Sequence, residues 1–402
     1  MFKIVRKYLI NLFAAKKTIL FDLFFSQSGY HGGGEYAKSV FRVMVNRVSA
    51  TNSAKIFVAI DLKRPIDPVC KELIDKYSSF ITIIDIKSFD DIRDLINSNN
   101  FHTVFLPAIV IYSKNYRYLE HPGTSLGFKT NSKVVGVLHD IRELELIDCG
   151  CEIGNFATDR ELYKEMFGAV IRDDCVERII TVSQFCKNNM VRKLNLVKQE
   201  EDKITVLYPI AKIRYKPKEL FHQDIVFQKT KYLLALNLGR EEKNGRTIIA
   251  ALDDLFSSNE YFKDFYVVLI GLNSLDELKF ELKNKTRFIP LNNVKPENLE
   301  FIYKNAKLLV YASLHEGFGY PPLEVMKYAV PSVVSRNSAL VEVYNENCVV
   351  YCDPLSIDSI KSSIENSLKN PIDKNVLLQY YNGLLDRQNN DADTLVDIIV
   401  ND

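Results

Sequence analysis

Short apolar segments alternate with helical patterns along most of this chain. The apolar segments have the length and continuous hydrophobicity of strands that are buried on both faces of a parallel sheet. Apolar residues recur at helical spacing in most of the gaps, and such alternation predicts an α/β fold with helices packed on the sheets. The predicted strands span residues 18–25, 55–60, 80–85, 103–107, 133–138, 178–182, 204–207, 232–237, 265–271, 286–290, 307–313 and 331–335.

The length of the chain predicts two domains. At 402 residues the chain exceeds what a single hydrophobic core usually covers. A stretch with two prolines and no strong periodicity separates the two series of predicted strands. We therefore predict a basic N-terminal helix over 1–17, an N-terminal domain over 18–208, a linker over 209–230, a C-terminal domain over 231–375 and a C-terminal helix within 376–402.

A glycine-bearing turn joins the predicted strand 307–313 to a helix predicted over 323–329. Gly317 and Gly319 let the main chain approach a ligand closely, and the start of a helix attracts phosphate. Glu316 and Glu324 cannot serve that anion, because like charges repel, so we expect them to face hydroxyl-rich or cationic parts of the ligand. A sugar nucleotide has both halves. The alternative is that these are ordinary acids, one in a loop and one in a first helical turn, where acids are favoured.

The spacing of the two acids resembles a known signature. Seven residues separate Glu316 from Glu324, with Gly-Phe-Gly and Pro between them, as in the retaining glycosyltransferases of family 4. The resemblance implies a GT-B fold, in which two doubly wound Rossmann-like domains face each other across a cleft. It implies that Glu316 lies at the donor sugar and that Glu324 binds the ribose hydroxyls, with Gly317, Phe318 and Gly319 also at the donor. It further implies that the C-terminal helix crosses back to the first domain.

Two cations follow the predicted strand 232–237. Arg240 and Lys243 are well placed there to neutralise a diphosphate leaving group. The family uses an Arg after Gly and a Lys before Asn for this purpose, and these two residues match that pattern. The alternative is solvated pairing with Glu241 and Glu242. Because a cationic clamp can substitute for a divalent ion, we expect no metal, and no cofactor besides the nucleoside diphosphate sugar itself.

A third loop follows the predicted strand 331–335. In the family, backbone amides of this loop lie over the donor phosphates, and glycines and a Pro-Glu pair are common there. Here Ser338, Ala339 and Leu340 occupy the loop, Val341 stands where proline is usual, and Glu342 matches the family's acid. We assign the first three residues to the donor site, and the departures bear on the identity of the donor more than on the class of reaction.

The N-terminal domain contributes two further candidates. A glycine turn at 26–34 precedes a helix predicted over 35–48, and its Gly33 and Gly34 are similar to the family's Gly-Gly loop near the donor phosphates and acceptor. A flexible surface turn is the alternative. His139 follows the predicted strand 133–138, and in the family a matching histidine contacts the donor sugar; a structural histidine is the alternative.

Charge and cysteine content limit the partners and the location. A net charge of +1 excludes the basic field that nucleic-acid binding requires. Residues 1–17 hold five cations and no acid, and they form either an amphipathic helix on an anionic membrane or a helix packed on its own domain. Seven cysteines, an odd number, and no recognisable signal peptide favour reduced thiols in the cytoplasm, with the inner face of the membrane as a peripheral site.

The predicted function is that of a retaining hexosyltransferase. It would move a sugar from a nucleoside diphosphate sugar to a hydroxyl of a glycan or lipid-linked acceptor, in bacterial cell-surface polysaccharide synthesis. One alternative is a non-catalytic sugar-nucleotide-binding or membrane-scaffold protein with the same fold. Another is a sugar-nucleotide epimerase or a phosphorylase. The epimerase would need an extra acid–base pair and the phosphorylase a lysine-bound cofactor, and the sequence identifies neither.

Overall fold

The computed structural model describes most of the chain in two compact units. The N-terminal unit comprises the described residues up to Leu144, then 160–212 and Asp386–Asn401, and the C-terminal unit comprises 145–148 and 215–385. Of the predicted N-terminal helix, only Lys16 and Lys17 lie within the described residues. The described residues are 16–27, 32–112, 126–148, 160–212, 215–219, 221–222, 225–227, 230–236, 238–278 and 281–401.

The N-terminal unit is built on a parallel sheet of seven strands in the order β3-β2-β1-β4-β5-β6-β7. The order reverses between β1 and β4, which is the mark of a doubly wound sheet. Its strands are β1 (Lys17–Asp22), β2 (Ala54–Ile60), β3 (Ile81–Asp85), β4 (Thr103–Leu106), β5 (Lys133–Val137), β6 (Val176–Thr181) and β7 (Ile204–Val206). The helices up to β7 are α1 (Gly32–Thr51), α2 (Pro68–Lys76), α3 (Phe89–Asn97), α4 (Arg142–Asp148), α5 (Arg160–Arg172), α6 (Gln184–Lys193) and α7 (Lys198–Asp202).

The C-terminal unit is built on a second parallel sheet of six strands in the order β12-β11-β10-β13-β14-β15. This is the strand order of a Rossmann fold, and it reverses between β10 and β13. Its strands are β10 (Lys231–Leu236), β11 (Phe265–Ile270), β12 (Phe288–Leu291), β13 (Leu308–Tyr311), β14 (Ser332–Ser335) and β15 (Val350–Cys352). Its helices are α8 (Gly245–Ser258), α9 (Pro296–Asn305), α10 (Tyr320–Met326), α11 (Leu340–Val343), α12 (Ile357–Lys369) and the first part of α13 (Lys374–Val400).

The end of α13 belongs to the N-terminal unit. Leu395, Val396 and Ile399 are fully buried in the same hydrophobic core as β1, β2 and α1. The Lys17 ammonium donates to the carbonyl oxygens of Val400 (3.1 Å) and Asn401 (2.8 Å). These carbonyls lie at the C-terminal end of α13, where the helix dipole is negative and a cation is stabilising. Lys17 is therefore engaged within its own unit, as is Lys16, whose ammonium donates to Asn52 Oδ1 at 2.6 Å.

Several elements differ from the sequence-based expectation. Two short strands, β8 (Phe221–His222) and β9 (Ile225–Val226), pair antiparallel inside the predicted linker. The edge strand β15 lies in a stretch for which no strand was predicted. Helix α10 begins three residues before the predicted start, because Gly319 adopts a left-handed conformation and prolines are well tolerated in a first helical turn.

Within the described residues, no helix is both long enough and apolar enough to cross a membrane. Five cysteines are described, and all five are free thiols. Their neighbourhoods are mostly buried, so they act there as small apolar side chains.

Candidate active site

The C-terminal sheet reverses its strand order between β10 and β13. Two loops leave the sheet at this point, residues 238–244 after β10 and residues 312–319 after β13. In open α/β sheets, ligands bind at such a switch point because the flanking helices diverge there. The same geometry brings Lys243 of the first loop beside Glu316 of the second.

Glu316 is the centre of a buried hydrogen-bond network. Its Oε1 atom accepts hydrogen bonds from Lys243 Nζ and from Ser313 Oγ, both at 2.6 Å. Lys243 and Glu316 are each less than a tenth exposed. Burial by itself would raise the pKa of Glu316, but the charge and hydrogen bond of Lys243, with the hydroxyls of Ser313 and Tyr311, outweigh it and hold the pKa below its ordinary 4.5. The carboxylate is therefore ionised at neutral pH.

Tyr311 completes this network from the end of β13. Lys243 Nζ donates to the Tyr311 hydroxyl oxygen at 3.2 Å, and the ammonium lies 5.5 Å from the centroid of the ring. Burial and then the charge of Glu316 raise the pKa of Tyr311 well above its ordinary value. Tyr311 therefore stays neutral, and its O–H can donate to Glu316 while its oxygen accepts from the lysine.

Asn244 ties the first loop to the ends of two strands. Its backbone is left-handed, with φ of 58°, a conformation that asparagine tolerates better than most residues. Its side-chain amide donates to the carbonyl oxygens of Ala312 (2.9 Å) and Pro354 (2.7 Å). A further backbone bond, from Leu314 N–H to the Glu242 carbonyl at 2.8 Å, joins the two loops. These bonds fix Lys243 relative to Glu316.

The third predicted loop, residues 336–339, lies against the backbone of Glu316. The Glu316 N–H donates to Ser338 Oγ at 3.1 Å, and the Ala339 N–H donates to the Glu316 carbonyl at 3.2 Å. The Asn337 side-chain amide donates to the carbonyl oxygens of Ser313 (3.2 Å) and Leu314 (3.0 Å). Ser338 and Ala339 thus lie beside the backbone of Glu316, and their assignment to the donor site stays a prediction.

Gly319 is required by the turn that leads into α10. Its φ is 89°, and a Cβ atom at this position would lie 2.5 Å from Leu340 Cδ2. Leu340 is fully buried, so its side chain fills this space and only its backbone could serve a ligand. The Tyr344 hydroxyl donates to the Gly319 carbonyl at 2.6 Å and accepts from the Leu323 N–H at 3.1 Å.

The start of α10 offers fewer amides than the sequence suggested. Pro321 and Pro322 occupy its first turn and have no N–H, and the Leu323 N–H is bonded to Tyr344. This helix start therefore offers a phosphate fewer amides than an ordinary first turn, and the expectation that it binds phosphate stays a prediction. Any anion at this edge depends on the two cations and on the neighbouring loops.

Glu324 lies on α10, the helix that follows the loop of Glu316. Its Oε2 atom accepts a hydrogen bond from the hydroxyl of Tyr303, on α9, at 2.8 Å. Burial and then the charge of Glu324 raise the pKa of Tyr303 well above its ordinary value. The tyrosine therefore stays protonated and acts as a donor to the acid.

Residues 217–382, which contain this whole arrangement, match the model of a known protein family described as glycosyl transferases group 1. Over these residues the chain is similar to the group 1 glycosyl transferases. The resemblance drawn from Glu316, Glu324 and the residues between them is confirmed at this level.

Two relatives of the chain are mannosyltransferases. The O-antigen chain mannosyltransferase RfbU of Salmonella typhimurium is 27% identical over 197 residues, which are 47% of this chain and 50% of that protein. O-antigen chain mannosyltransferase B of Escherichia coli is 30% identical over 206 residues, which are 49% of this chain and 52% of that protein. The chain thus spans about half the length of these curated relatives.

The likeness in fold to a solved structure extends beyond residues 217–382. The crystal structure of a glycosyltransferase from Rickettsia africae superposes with a TM-score of 0.62 at 16% identity, covering 96% of this chain and 100% of that one. The predicted fold class, GT-B with two doubly wound Rossmann-like domains, is confirmed.

Arg240 is paired with an acid of its own loop, but that acid is buried, so the pair differs from the solvated pairing of the alternative. Its guanidinium contacts Glu242, whose carboxylate is buried, while about half of the Arg240 side chain stays exposed. Lys243 instead pairs with Glu316, and not with either acid of its own loop. A diphosphate at this edge would meet one exposed cation and one buried cation.

Phe318 packs inside the C-terminal unit. It is 4% exposed, and its ring meets the edge of Tyr320 at a centroid distance of 5.3 Å. Its side chain is therefore part of the core, and a donor could meet only its backbone. Gly317 precedes it in the same turn and lies between Glu316 and the start of α10.

The remaining predicted residues lie in the N-terminal unit. Gly33 and Gly34 are in the first turn of α1, so they are helical and not part of the predicted loop. Each lacks the Cβ atom that would otherwise cover the helix start. His139 follows β5, and its backbone carbonyl accepts a hydrogen bond from Thr181 Oγ1 at 3.1 Å. Its ring meets the ring of Tyr36 edge-on, with the two ring centroids 4.8 Å apart.

Sequence reasoning missed several side chains that build the site. Tyr311 ends β13 and Ser313 lies just after it, and their hydroxyls at the carboxyl end of this buried strand were the available signal. Asn244 directly follows Lys243, and asparagine is the residue most often found in a left-handed cap after glycine. Tyr303 and Tyr344 gave no signal, because nothing in their spacing indicates which acid or carbonyl a distant hydroxyl meets.

Proposed function

We propose that this protein is a retaining glycosyltransferase. It moves a sugar from a nucleoside diphosphate sugar to a hydroxyl of a glycan or lipid-linked acceptor during polysaccharide synthesis. The observation that carries the proposal is the buried Lys243–Glu316 pair at the switch point of the C-terminal sheet, within the residues similar to the group 1 glycosyl transferases, with Glu324 on the helix that follows. An ionised acid held by a lysine is suited to accept hydrogen bonds from sugar hydroxyls beside a diphosphate.

In the proposed reaction, the bond between the anomeric carbon and the diphosphate oxygen breaks. The acceptor oxygen bonds to the same face of that carbon, and the proton of the acceptor hydroxyl passes to the departing diphosphate oxygen. The sugar gains oxocarbenium character, and the departing diphosphate gains negative charge. Preorganised donors and cations that stabilise this developing charge lower the barrier most effectively. Arg240 and Lys243 are assigned that role.

The donor count of Lys243 is consistent with two tasks. An ammonium group has three N–H donors. Among the described residues, Glu316 and Tyr311 accept from it, which leaves a donor for a phosphate oxygen. Lys243 can thus keep Glu316 ionised and still contact the leaving group. The exposed part of Arg240 supplies the second positive charge, once the diphosphate competes with Glu242 for it.

The other candidates have supporting roles in this proposal. Glu316 orients the sugar, Glu324 accepts from the ribose hydroxyls, and His139 contacts the donor sugar from the N-terminal unit. Backbone groups of two segments, Gly317–Gly319 and Ser338–Leu340, line the donor. Gly33 and Gly34 let the donor phosphates and the acceptor approach α1 closely.

Mannose is the proposed sugar, because the two O-antigen relatives are named mannosyltransferases. The test is to incubate the protein with GDP-mannose, UDP-glucose and other sugar nucleotides, with and without mannose-containing acceptor glycans, and to follow nucleoside diphosphate release. The proposal predicts acceptor-dependent release with one donor and an α-linkage from an α-donor. Binding of a sugar nucleotide without turnover on any acceptor would instead support the non-catalytic scaffold.

We further propose that the reaction needs no metal and that the protein works in the cytoplasm. The first part rests on the two cations of the site, and the second on the free thiols of the described cysteines. Membrane contact through residues 1–17 depends on Lys3, Arg6 and Lys7, since Lys16 and Lys17 are engaged within the N-terminal unit. Deleting residues 1–15 is expected to release the protein from anionic vesicles, and unchanged partitioning would favour the packed helix.

A further inference from the structure

A buried tyrosine hydroxyl contacts the acid that is proposed to bind the ribose. Tyr303 on α9 is 3% exposed, and its hydroxyl donates to Glu324 Oε2 at 2.8 Å. Glu324 itself is only partly buried.

The contact is permanent over the physiological pH range. The pKa of Tyr303 is raised well above its ordinary 10.0, first by burial and then by the charge of Glu324. The hydroxyl therefore always presents a proton to the acid. A hydrogen bond to an ionised acceptor is about twice as strong as one between neutral groups, so it restricts the rotation of the carboxylate.

We propose that Tyr303 is a positioning residue that fixes the Glu324 carboxylate through Oε2 and so sets its orientation toward the two ribose hydroxyls. Two vicinal hydroxyls can be bound together only by an acceptor with a defined orientation, since each bond weakens steeply away from linearity. This inference rests on the proposed function, because it takes Glu324 as the ribose-binding acid.

The chain offers a closely matched control pair. Tyr328, just after α10, donates its hydroxyl to Glu300 Oε2 on α9 at 2.7 Å. Glu300 also pairs with Lys327, and neither residue belongs to the proposed site. Tyr303→Phe removes the O–H by which α9 contacts Glu324 of α10. Tyr328→Phe removes the O–H by which the segment after α10 contacts Glu300 of α9. Only the first removal touches the ribose-binding acid.

The experiment is a calorimetric titration with a nucleoside diphosphate and its 2′,3′-dideoxy analogue. The probe is whichever of UDP, GDP and ADP raises the melting temperature of the wild-type protein most. Wild type and Tyr328→Phe are expected to prefer the ribose form. Tyr303→Phe is expected to bind that form about tenfold more weakly and to lose most of the preference, while its kcat at saturating donor changes little.

The outcomes separate the inference from the proposed function. A Tyr303→Phe protein that keeps the full ribose preference overturns the inference, while the proposed function stands. Failure of the wild type to bind any of the diphosphates contradicts the proposed function. If Tyr303→Phe loses its folded signal in circular dichroism, the same titration at a lower temperature with a stabilising osmolyte supplies the test: loss of the ribose preference supports the inference, and retention overturns it.

Discussion

Lys243 Nζ and Glu316 Oε1 lie 2.6 Å apart, although the two residues are separated by 73 positions in the sequence. Each comes from the loop after a different strand, and the two strands are neighbours only because the sheet reverses its order there. Both side chains are buried, so neither charge could be kept without the other. The pair therefore links the fold of the C-terminal unit to the chemistry of its site.

Replacing Lys243 by methionine should destabilise the C-terminal unit. The substitution leaves the Glu316 carboxylate buried without its counter-charge, which is expected to lower the free energy of unfolding by about 3–5 kcal/mol. The double variant Lys243→Met/Glu316→Gln should lose less than Lys243→Met alone, since it buries no charge. Urea unfolding measures both. A double variant as unstable as the sum of its single variants would show that the two residues act independently.

The Glu316 carboxylate should make stability depend on pH. Its pKa is below the ordinary 4.5 in the folded protein, so the unfolded chain binds more protons between these two values. The free energy of unfolding therefore rises with pH through that window. The contribution of Glu316 is complete above the unfolded pKa and is lost as pH falls through the folded pKa. Compared between about pH 3 and about pH 7, Glu316→Gln should differ from wild type most at the higher pH. A constant difference would place the effect elsewhere.

Much of the fold could be predicted from the sequence, and less of the site. The strands were recognisable because most are continuous apolar runs of the length of buried parallel strands. Their pairing order, however, depends on contacts between distant segments. Arg240, Lys243 and Glu316 were identified singly, from their places after strands and from the family pattern. That Lys243 meets Glu316, and not Glu242, follows from the packing of two loops and has no signal in the spacing of either.

Local conformation decided the other differences. Gly33 and Gly34 looked like a loop because glycine disfavours helices, yet tertiary packing includes them in α1. The second and third residues of α10 are prolines, which concealed its start because proline usually indicates a break. The β8–β9 pair was missed because each strand has two residues, too few for any periodicity.

Gly319 should not tolerate alanine. Holding a residue with a Cβ atom in a left-handed conformation lowers the free energy of unfolding by about 1–2 kcal/mol. The added methyl group would also displace the Leu340 side chain. Gly383, inside α13, is the control, because a Cβ atom there meets nothing within 4 Å. Gly383→Ala should raise stability by about 0.5–1 kcal/mol. Thermal melts of both variants check this, and equal effects would contradict the strained turn.

Activity should survive removal of divalent ions. In the proposed mechanism Arg240 and Lys243 provide the positive charge that a metal ion provides in other transferases. Nucleoside diphosphate release should therefore be unchanged in a millimolar excess of chelator, and Arg240→Gln should lower kcat by at least about tenfold. Loss of activity with the chelator, restored by added Mg²⁺ or Mn²⁺, would show that these cations are not sufficient.

The central claim is that the acid held by Lys243 serves glycosyl transfer, and a single comparison of variants tests it. Glu316→Gln and Glu300→Gln change two glutamates of the C-terminal unit that are equally buried, each paired with a lysine and each bonded by a tyrosine hydroxyl. Nucleoside diphosphate release from the preferred sugar nucleotide is measured for both at saturating donor and acceptor. The account predicts a loss of about a hundredfold or more for Glu316→Gln and near wild-type turnover for folded Glu300→Gln. Equal turnover by the two variants would contradict it.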